Sequence, residues 1–227
     1  MGSIPMMPLK NPGSSSWSSY TANTALSAST GWYTFRAVDK AGNTSTEYKV
    51  YYDAGAPTGT LYGGTSVKSS GGYTNASYIK YVASDSYSGI ANCYVKKPGS
   101  SSYESYTSGT QLTAEGVYNF YSIDRAGNTS STYTITLDRQ IPTAQLYVDG
   151  KPVSNNSYTN GEHISFECGE NCFVKLPDSD TFVSYLSGAE YYKPGKYVFY
   201  GVSDAGNNTG YFTIIIDVVV AINAAST

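Results

Sequence analysis

A thirteen-residue segment occurs three times along this chain of 227 residues. The copies begin at Gly31, Gly116 and Gly195, and each opens with Gly-x-Tyr-x-Phe and closes with Ala-Gly-Asn. Self-similarity at a sustained offset is the signature of an array of like structural units. We therefore expect the chain to consist of tandem repeats. The same offsets align Asp53, Asp138 and Asp217.

The repeat alignment also sets the expected domain boundaries. It predicts a complete second repeat at residues 57–141, a complete third repeat at residues 142–217, and a tail of small and apolar residues at 218–227. Residues 1–56 align only with the C-terminal half of a repeat, so the first repeat lacks the counterpart of residues 58–95. The chain is expected to hold one incomplete unit followed by two complete ones.

The incomplete first repeat has two explanations at the level of sequence. The chain is a fragment or a truncated reading frame, or another chain supplies the missing strands by β-strand addition. The apolar segment Val218–Ile222 suits such a donor strand, and it suits a linker or a strand extension equally well. In the donor case the chain is a filament subunit, and deletion of residues 218–227 should abolish its polymers.

Residues within each repeat alternate between two faces, which is typical of half-buried β-strands. In the second repeat Tyr118, Phe120 and Ser122 share one face, and residues 133–137 alternate in the same way. Thr, Tyr, Val and Ile favour a pleated sheet, and no window has a helical stripe. Units of about 80 residues with about seven short strands predict an all-β chain of tandem immunoglobulin-like β-sandwich domains, the first one incomplete.

The Gly-x-Tyr-x-Phe motif is similar to the start of strand F in an immunoglobulin-like sandwich. In that strand a tyrosine buries its ring, donates its hydroxyl to upstream backbone, and precedes a core cysteine by two residues. In this chain phenylalanine stands in place of the cysteine, so packed area should replace a disulfide. These structural pairs are Tyr33 with Phe35, Tyr118 with Phe120, and Tyr197 with Phe199.

A turn signal follows each of these motifs. An aspartate that accepts backbone N–H groups, followed by a glycine with positive φ and an asparagine, favours a tight hairpin turn. The third repeat shifts its aspartate one place later. Calcium binding is the alternative, although each turn offers only one carboxylate. The weak calcium candidates are Asp39, Asp124 and Asp204, and the turn glycines are Gly42, Gly127 and Gly206.

The three cysteines are Cys93, Cys168 and Cys172. A spacing of four residues with an intervening glycine and asparagine suits a turn between two strands, where a disulfide between Cys168 and Cys172 would form in an oxidising compartment. Two reduced cysteines at strand ends are an equally good interpretation. A zinc site would need two further ligands, and neither His163 nor Cys93 is suitably placed.

The composition argues against several classes of protein. Lys plus Arg is 14 and Asp plus Glu is 17, and this net charge of −3 does not suit a nucleic-acid binder. The 24 tyrosines do not suit a disordered tail. The longest apolar run, Ile214–Ile222, contains Asp217 and is too short to span a bilayer as a helix, so no membrane span is expected.

The sequence offers no catalytic constellation. His163 is the only histidine, and it lies in an alternating stretch that points it outward from a strand. No phosphate-binding loop, dinucleotide fingerprint or zinc-protease motif is present. The chain is therefore expected not to be an enzyme and to need no cofactor other than calcium in the minority case.

These motifs together resemble the bacterial immunoglobulin-like repeats of cell-surface and extracellular proteins. The resemblance rests on Tyr-x-Phe-x-Ala-Val-Asp-Lys-Ala-Gly-Asn at residues 33–43, followed by Asp53 and Pro57, and on the Asp-x-x-Ser-Gly-Ile sequence at residues 85–90. The third repeat carries the two cysteines instead of that second sequence. The resemblance implies an extracellular or bacterial cell-surface location and neighbouring immunoglobulin-like domains of the same parent chain as partners.

The repeat boundaries suit a mechanical role. Asp53 is followed by Pro57, and Asp138 by Pro142, so each linker is short and stiffened by proline. Such beads make a semi-rigid stalk that projects a binding or catalytic module, as in an adhesin. The expected function is a non-catalytic spacer.

The tyrosine excess supports a second interpretation. Tyr51 with Tyr52, Tyr191 with Tyr192, and Tyr103 with Tyr106 could present rings to a glycan or a protein ligand. Half-buried sheet packing explains the same residues. A contiguous exposed strip of rings would favour a binding module, and scattered rings would favour a spacer.

Overall fold

The protein, described by a computed structural model over residues 6–26 and 29–217, is all-β. These residues form 21 strands and no helix, and the strands pair in several mainly antiparallel sheets, with a parallel pair in the third repeat. The all-β prediction is confirmed. The proposed donor segment, Val218–Ile222, lies outside the described residues.

The first repeat forms a single four-stranded sheet in the order β2-β1-β3-β4. Among the described residues no second sheet is assigned to this repeat. Its strands are β1 (Met7–Lys10), β2 (Ser18–Tyr20), β3 (Gly31–Phe35) and β4 (Tyr48–Tyr52).

The second repeat contributes a three-stranded sheet in the order β6-β5-β8 and a second sheet that includes the run β10-β9-β11-β12. Tyr81 and Phe120 come from these two sheets, are fully buried, and stack with their ring centres 5.1 Å apart. The strands are β5 (Thr58–Gly63), β6 (Ser66–Lys68), β7 (Gly72–Thr74), β8 (Ile79–Ser84), β9 (Ile90–Lys96), β10 (Glu104–Tyr106), β11 (Gly116–Asp124) and β12 (Tyr133–Leu137).

The third repeat has two sheets, in the orders β14-β13-β16-β19 and β15-β21-β20-β17-β18. Leu146 and Phe166 from the first sheet meet Val174, Phe199 and Ile214 from the second in one buried core. The strands are β13 (Ala144–Val148), β14 (Lys151–Val153), β15 (Ser157–Thr159), β16 (Ile164–Cys168), β17 (Asn171–Lys175), β18 (Val183–Tyr185), β19 (Glu190–Tyr191), β20 (Gly195–Val202) and β21 (Phe212–Ile216).

Strand register repeats along the chain. Tyr33 pairs with Val50 between β3 and β4, and Tyr197 pairs with Ile214 between β20 and β21. Since these positions are equivalent in the sequence alignment, the repeats correspond residue by residue in backbone pairing. The hairpins that begin the C-terminal halves also share one register, with the pairs Met7–Tyr20, Cys93–Tyr106 and Cys172–Tyr185.

Contacts divide the chain into two compact bodies. One comprises the chain up to Gly71 together with Tyr78–Ile135, and the other comprises Gly72–Ser77 and the chain from Thr136 onward. The boundaries at residues 57 and 142, which rest on the sequence alignment, stay predictions. The first repeat, with one sheet among its described residues, groups with most of the second repeat.

Candidate functional site

The tyrosine of each repeated motif donates its hydroxyl to a carbonyl four residues upstream. Tyr33 bonds to Ser29 at 3.2 Å, Tyr118 to Ala114 at 2.7 Å, and Tyr197 to Lys193 at 2.9 Å. All three rings are buried. This is the arrangement expected of a tyrosine corner, and it gives these residues a structural role.

The phenylalanines of the motif differ between repeats. Phe120 and Phe199 are 0% exposed, whereas Phe35 is only partly buried. The difference follows from the sheet arrangement, because no strand among the described residues faces Phe35 as the second sheet faces Phe120 and Phe199 in the complete repeats.

The Asp-x-Ala-Gly-Asn segments are hydrogen-bonded turns. Asp39 Oδ1 accepts the N–H of Asn43 at 2.8 Å while Oδ2 accepts its side-chain amide at 2.8 Å, and the side-chain bond is the main reason why the pKa of Asp39 is lowered. Asp124 and Asn128 repeat both bonds at 2.8 Å. The turn glycines all have positive φ, with Gly42 at 91°, Gly127 at 94° and Gly206 at 90°.

Ser203 replaces the aspartate in the third repeat. Its Oγ accepts the N–H and the side-chain amide of Asn207, each at 3.1 Å. Asp204 instead accepts from the side chain of Asn171 at 3.1 Å, while its own N–H donates to Glu170 at 2.9 Å. The three calcium candidates are therefore not equivalent, and Asp204 belongs to a different contact.

The asparagine of the turn reaches the end of the preceding repeat. Asn128 Nδ2 donates to the carbonyl of Asp53 at 3.0 Å, and Asn207 Nδ2 donates to the carbonyl of Asp138 at 2.9 Å. Asp53 and Asp138 are the boundary aspartates of the sequence alignment. Both repeat junctions thus carry the same side-chain to backbone hydrogen bond.

Three carboxylates meet at the first junction. Carboxylate oxygens of Asp53, Asp85 and Asp124 lie within 4.8 Å of one another, and no other such acidic group of three or more is found in the described residues. Asp85 Oδ1 accepts the N–H groups of Tyr87 at 3.1 Å and Gly89 at 2.7 Å. Calcium prefers oxygen donors of this kind. Acidic residues in hydrogen-bonded turns also cluster without a cation, and we assign no metal to this group.

Asp53 is held by the loop of the next repeat. Its Oδ2 accepts the N–H of Ser88 at 3.0 Å, and its Oδ1 accepts the N–H of Gly55 at 2.8 Å. The side chain of Ser88, followed by these N–H groups, keeps the pKa of Asp53 below its ordinary value despite burial.

An aromatic recess lies beside this junction. Trp32 and Tyr51 meet edge to face with ring centres 5.1 Å apart, and the rest of the lining is Tyr87, Ser88, Arg125 and Ala126. Tyr51 and Tyr52, a pair singled out from the sequence, do not share a surface, because their side chains point to opposite faces of β4.

Two of the three cysteines form a disulfide, and the third is a free thiol. Cys168 and Cys172 form a disulfide across the β16–β17 turn, with Cα atoms 6.0 Å apart. Cys93 is free and buried, and burial raises the pKa of its thiol.

His163 has acidic neighbours that the sequence did not indicate. Its Nδ1 lies 3.4 Å from Asp149 Oδ1, and its Nε2 lies 3.1 Å from Glu190 Oε1. Tyr192 donates to the other oxygen of Glu190 at 2.6 Å. This group contains no serine or cysteine nucleophile.

Aromatic clusters lie on the face opposite the core in both complete repeats. Tyr121 stacks on Tyr94 and meets Tyr103 edge to face, each with ring centres 4.9 Å apart. Tyr200 has the same geometry with Phe173 and Phe182, again at 4.9 Å. We call these two groups the outer aromatic clusters. In the first repeat Trp17 has the position of Tyr103, and the guanidinium of Arg36 lies 4.1 Å from its ring centre.

Comparison with known proteins identifies no relative: no protein-family model and no curated protein matches the chain. Within the described part of the chain, no helix has the length and apolar character required to cross a bilayer. The function must therefore be inferred from the geometry alone.

Sequence reasoning missed Asp85 and Ser88 as junction residues. They meet Asp53 from more than 30 positions away, so no local pattern indicates the contact. The Asp-x-x-Ser-Gly-Ile sequence at residues 85–90, which carries part of the family resemblance, is a signal for Asp85. Its role in receiving the preceding repeat depends on tertiary placement.

Proposed function

We propose that the chain is a non-catalytic spacer segment of a bacterial cell-surface or secreted protein, built from tandem immunoglobulin-like sandwiches, the first incomplete. It would project a binding or catalytic module carried by the same parent chain. The observation that carries this proposal is the bond from Asn128 to Asp53 and its repetition from Asn207 to Asp138. A stalk needs such a bond at every junction, whereas a catalyst does not.

Two further features support the spacer. The linkers from Asp53 to Pro57 and from Asp138 to Pro142 are short, and proline restricts their backbone. The disulfide between Cys168 and Cys172 suits an oxidising location outside the cytosol. The neighbouring immunoglobulin-like domains of the parent chain are the proposed partners.

Small-angle X-ray scattering of the full chain tests the proposal. A compact globule of this length would have a radius of gyration of about 17 Å. A spacer should give a clearly larger value, and the double variant Asn128→Ala/Asn207→Ala should broaden the distribution of interatomic distances. A radius of gyration near the compact value would contradict the spacer.

The outer aromatic clusters favour a second candidate function, binding of a glycan or a protein ligand. Stacked and edge-to-face rings present apolar faces of the kind that sugar rings and protein side chains pack against. A glycan array with the full chain tests this candidate. Tyr103→Ala combined with Phe182→Ala should remove the signal, and Tyr158→Ala, which changes an exposed ring outside the clusters, should leave it unchanged. The absence of any glycan signal would contradict the carbohydrate form of this candidate.

A further inference from the structure

One face of the first repeat's sheet is exposed along its strand β4. Tyr48, Val50 and Tyr52 alternate along β4 and are 67%, 56% and 41% exposed. Ile214 and Ile216 of the third repeat correspond to Val50 and Tyr52. They are 0% and 5% exposed, because the facing sheet β14-β13-β16-β19 covers them. We call Tyr48, Val50 and Tyr52 the open face.

The same strand has a free edge. β4 is the last strand of its sheet, so one row of its main-chain groups faces outward. In the third repeat the corresponding edge of β21 is covered by β15, which runs parallel to it with Ser157 opposite Ile214. The part of the chain that the structure describes supplies no such strand to β4.

A tyrosine hydroxyl in each complete repeat bonds to the sheet that the first repeat lacks. The Tyr106 hydroxyl accepts the N–H of Tyr81 at 3.1 Å, and the Tyr185 hydroxyl accepts the N–H of Phe166 at 3.0 Å. Tyr20 has this position in the first repeat, and its hydroxyl donates to the carbonyl of Thr24 at 2.7 Å. No described strand lies across from it to supply the matching N–H.

A second polar anchor lies three residues further along. The N–H groups of Gly109 and Gly188 donate to the carbonyls of the same two residues, Tyr81 and Phe166, at 2.8 and 2.9 Å. Both glycines have positive φ, 86° and 81°. Asn23 is their counterpart and has a φ of 62°, so the first repeat keeps the left-handed backbone that presents this N–H.

We propose that the open face is a docking surface for the N-terminal half of a repeat of this kind. The occupant has the chemistry of residues 57–89: three antiparallel strands whose apolar residues face the core, and an edge strand. Such a segment covers the apolar side chains, pairs with the free edge of β4, and meets both Tyr20 and Asn23. A second copy's open face would cover only the side chains.

The test uses the full chain and a synthetic peptide of residues 57–89, with a scrambled peptide as control. Hydrogen exchange measured by mass spectrometry should show at least about tenfold slower exchange for Tyr48–Tyr52 when the peptide is present, since the edge amides become bonded. The scrambled peptide should have no effect. Equal exchange with and without the peptide would overturn the proposal.

Matched variants test whether the peptide binds to the open face. Val50→Asp should weaken peptide binding at least about tenfold, because an unpaired carboxylate would be buried. Lys49→Asp introduces the same group on the opposite face of β4 and should leave binding intact. Tyr20→Phe should also weaken binding, and it serves if Val50→Asp disturbs the circular dichroism spectrum. Equal loss in the Lys49 and Val50 variants would contradict the docking surface.

The oligomeric state tests the alternative occupant of the open face, a second copy of this chain. Sedimentation of the chain alone should give a monomer. A dimer that Val50→Asp converts to a monomer would identify a second copy as the occupant and overturn the proposal. Either result leaves the spacer proposal standing, because scattering tests that proposal separately.

Discussion

Two tyrosines in each repeat use their hydroxyls differently. Tyr118 and Tyr197 bond to carbonyls within their own loops, whereas Tyr106 and Tyr185 accept an N–H from the opposite sheet. The second type stabilises the sandwich directly, because it satisfies a buried main-chain donor. Part of the tyrosine excess is therefore a structural requirement that recurs with each unit.

Replacement of the second tyrosine should cost stability only where a facing sheet is present. Tyr185→Phe leaves the N–H of Phe166 buried without its acceptor, and we expect a loss of about 1–3 kcal/mol in the free energy of unfolding. Tyr20→Phe should cost less, since no described strand donates to that hydroxyl. Urea unfolding of both variants measures the difference, and equal losses would contradict this assignment.

Tyr185 also predicts that folding stability declines at alkaline pH. Burial, the largest cause, raises the pKa of Tyr185 to about 12 from 10.0. The unfolded state therefore loses the proton first, so stability is full below about pH 10 and declines towards about pH 12. Urea unfolding between these pH values should show a shallower decline in Tyr185→Phe. An identical decline in both proteins would be evidence against a perturbed Tyr185.

At the level of strands and turns, a proline packs so closely against the first residue of each motif that this residue must be glycine. A Cβ on Gly116 would lie 2.6 Å from the Cβ of Pro98, and one on Gly195 would lie 2.6 Å from the Cβ of Pro177. Both glycines also have positive φ. The Lys-Pro-Gly or Leu-Pro-Asp turn upstream thus packs on the start of the long strand, which explains why this motif begins with glycine.

Alanine substitutions should separate backbone strain from this contact. Gly127→Ala meets open space at a φ of 94° and should cost about 1–2 kcal/mol from strain alone. Gly116→Ala combines a φ of 123° with the contact to Pro98 and should cost more. The free energy of unfolding in urea ranks the two. A smaller loss in Gly116→Ala would show that the proline moves away without cost.

Asp53, at the first junction, predicts a loss of folding stability at acid pH. The pKa of Asp53 is lowered from 3.8, mainly by the side chain of Ser88. The stabilisation is therefore present above about pH 4 and is lost as the pH falls through the lowered value, because the unfolded state takes up protons first. Unfolding measured between about pH 5 and about pH 2 should show a weaker pH dependence in Asp53→Asn than in the exposed control Asp180→Asn. The same dependence in both would contradict the role of Asp53.

The sequence predicted the strands and turns better than the junction. Alternation in residues 116–124 and the Asp-Gly-Asn order at 124–128 act between near neighbours, so they can be read from a short window. The bonds from Asn128 to Asp53 and from Ser88 to Asp53 join residues 75 and 35 positions apart. Such contacts depend on how strands stack, which local propensity does not encode.

On the scale of the whole chain, each turn asparagine that reaches a boundary carbonyl ties one repeat to the preceding one. Asn43 has the same position, yet its amide bonds only to Asp39 among the described contacts. The same residue type thus has two energetic roles, decided by what lies beside it.

This difference predicts a contrast between two alanine variants. Asn207→Ala should cost about 1–3 kcal/mol, because a mostly buried amide and its bond to Asp138 are lost. Asn43→Ala changes an exposed side chain and should cost within about 0.5 kcal/mol. Differential scanning calorimetry of the two variants checks the contrast, and a larger loss in Asn43→Ala would contradict it.

The bond from turn asparagine to boundary carbonyl uses one side chain and one main-chain oxygen, so it does not depend on the identity of the neighbouring repeat. Any unit that carries both ends can follow any other. Duplication of a single unit in the gene would lengthen the protein by a fixed increment without a new interface having to evolve.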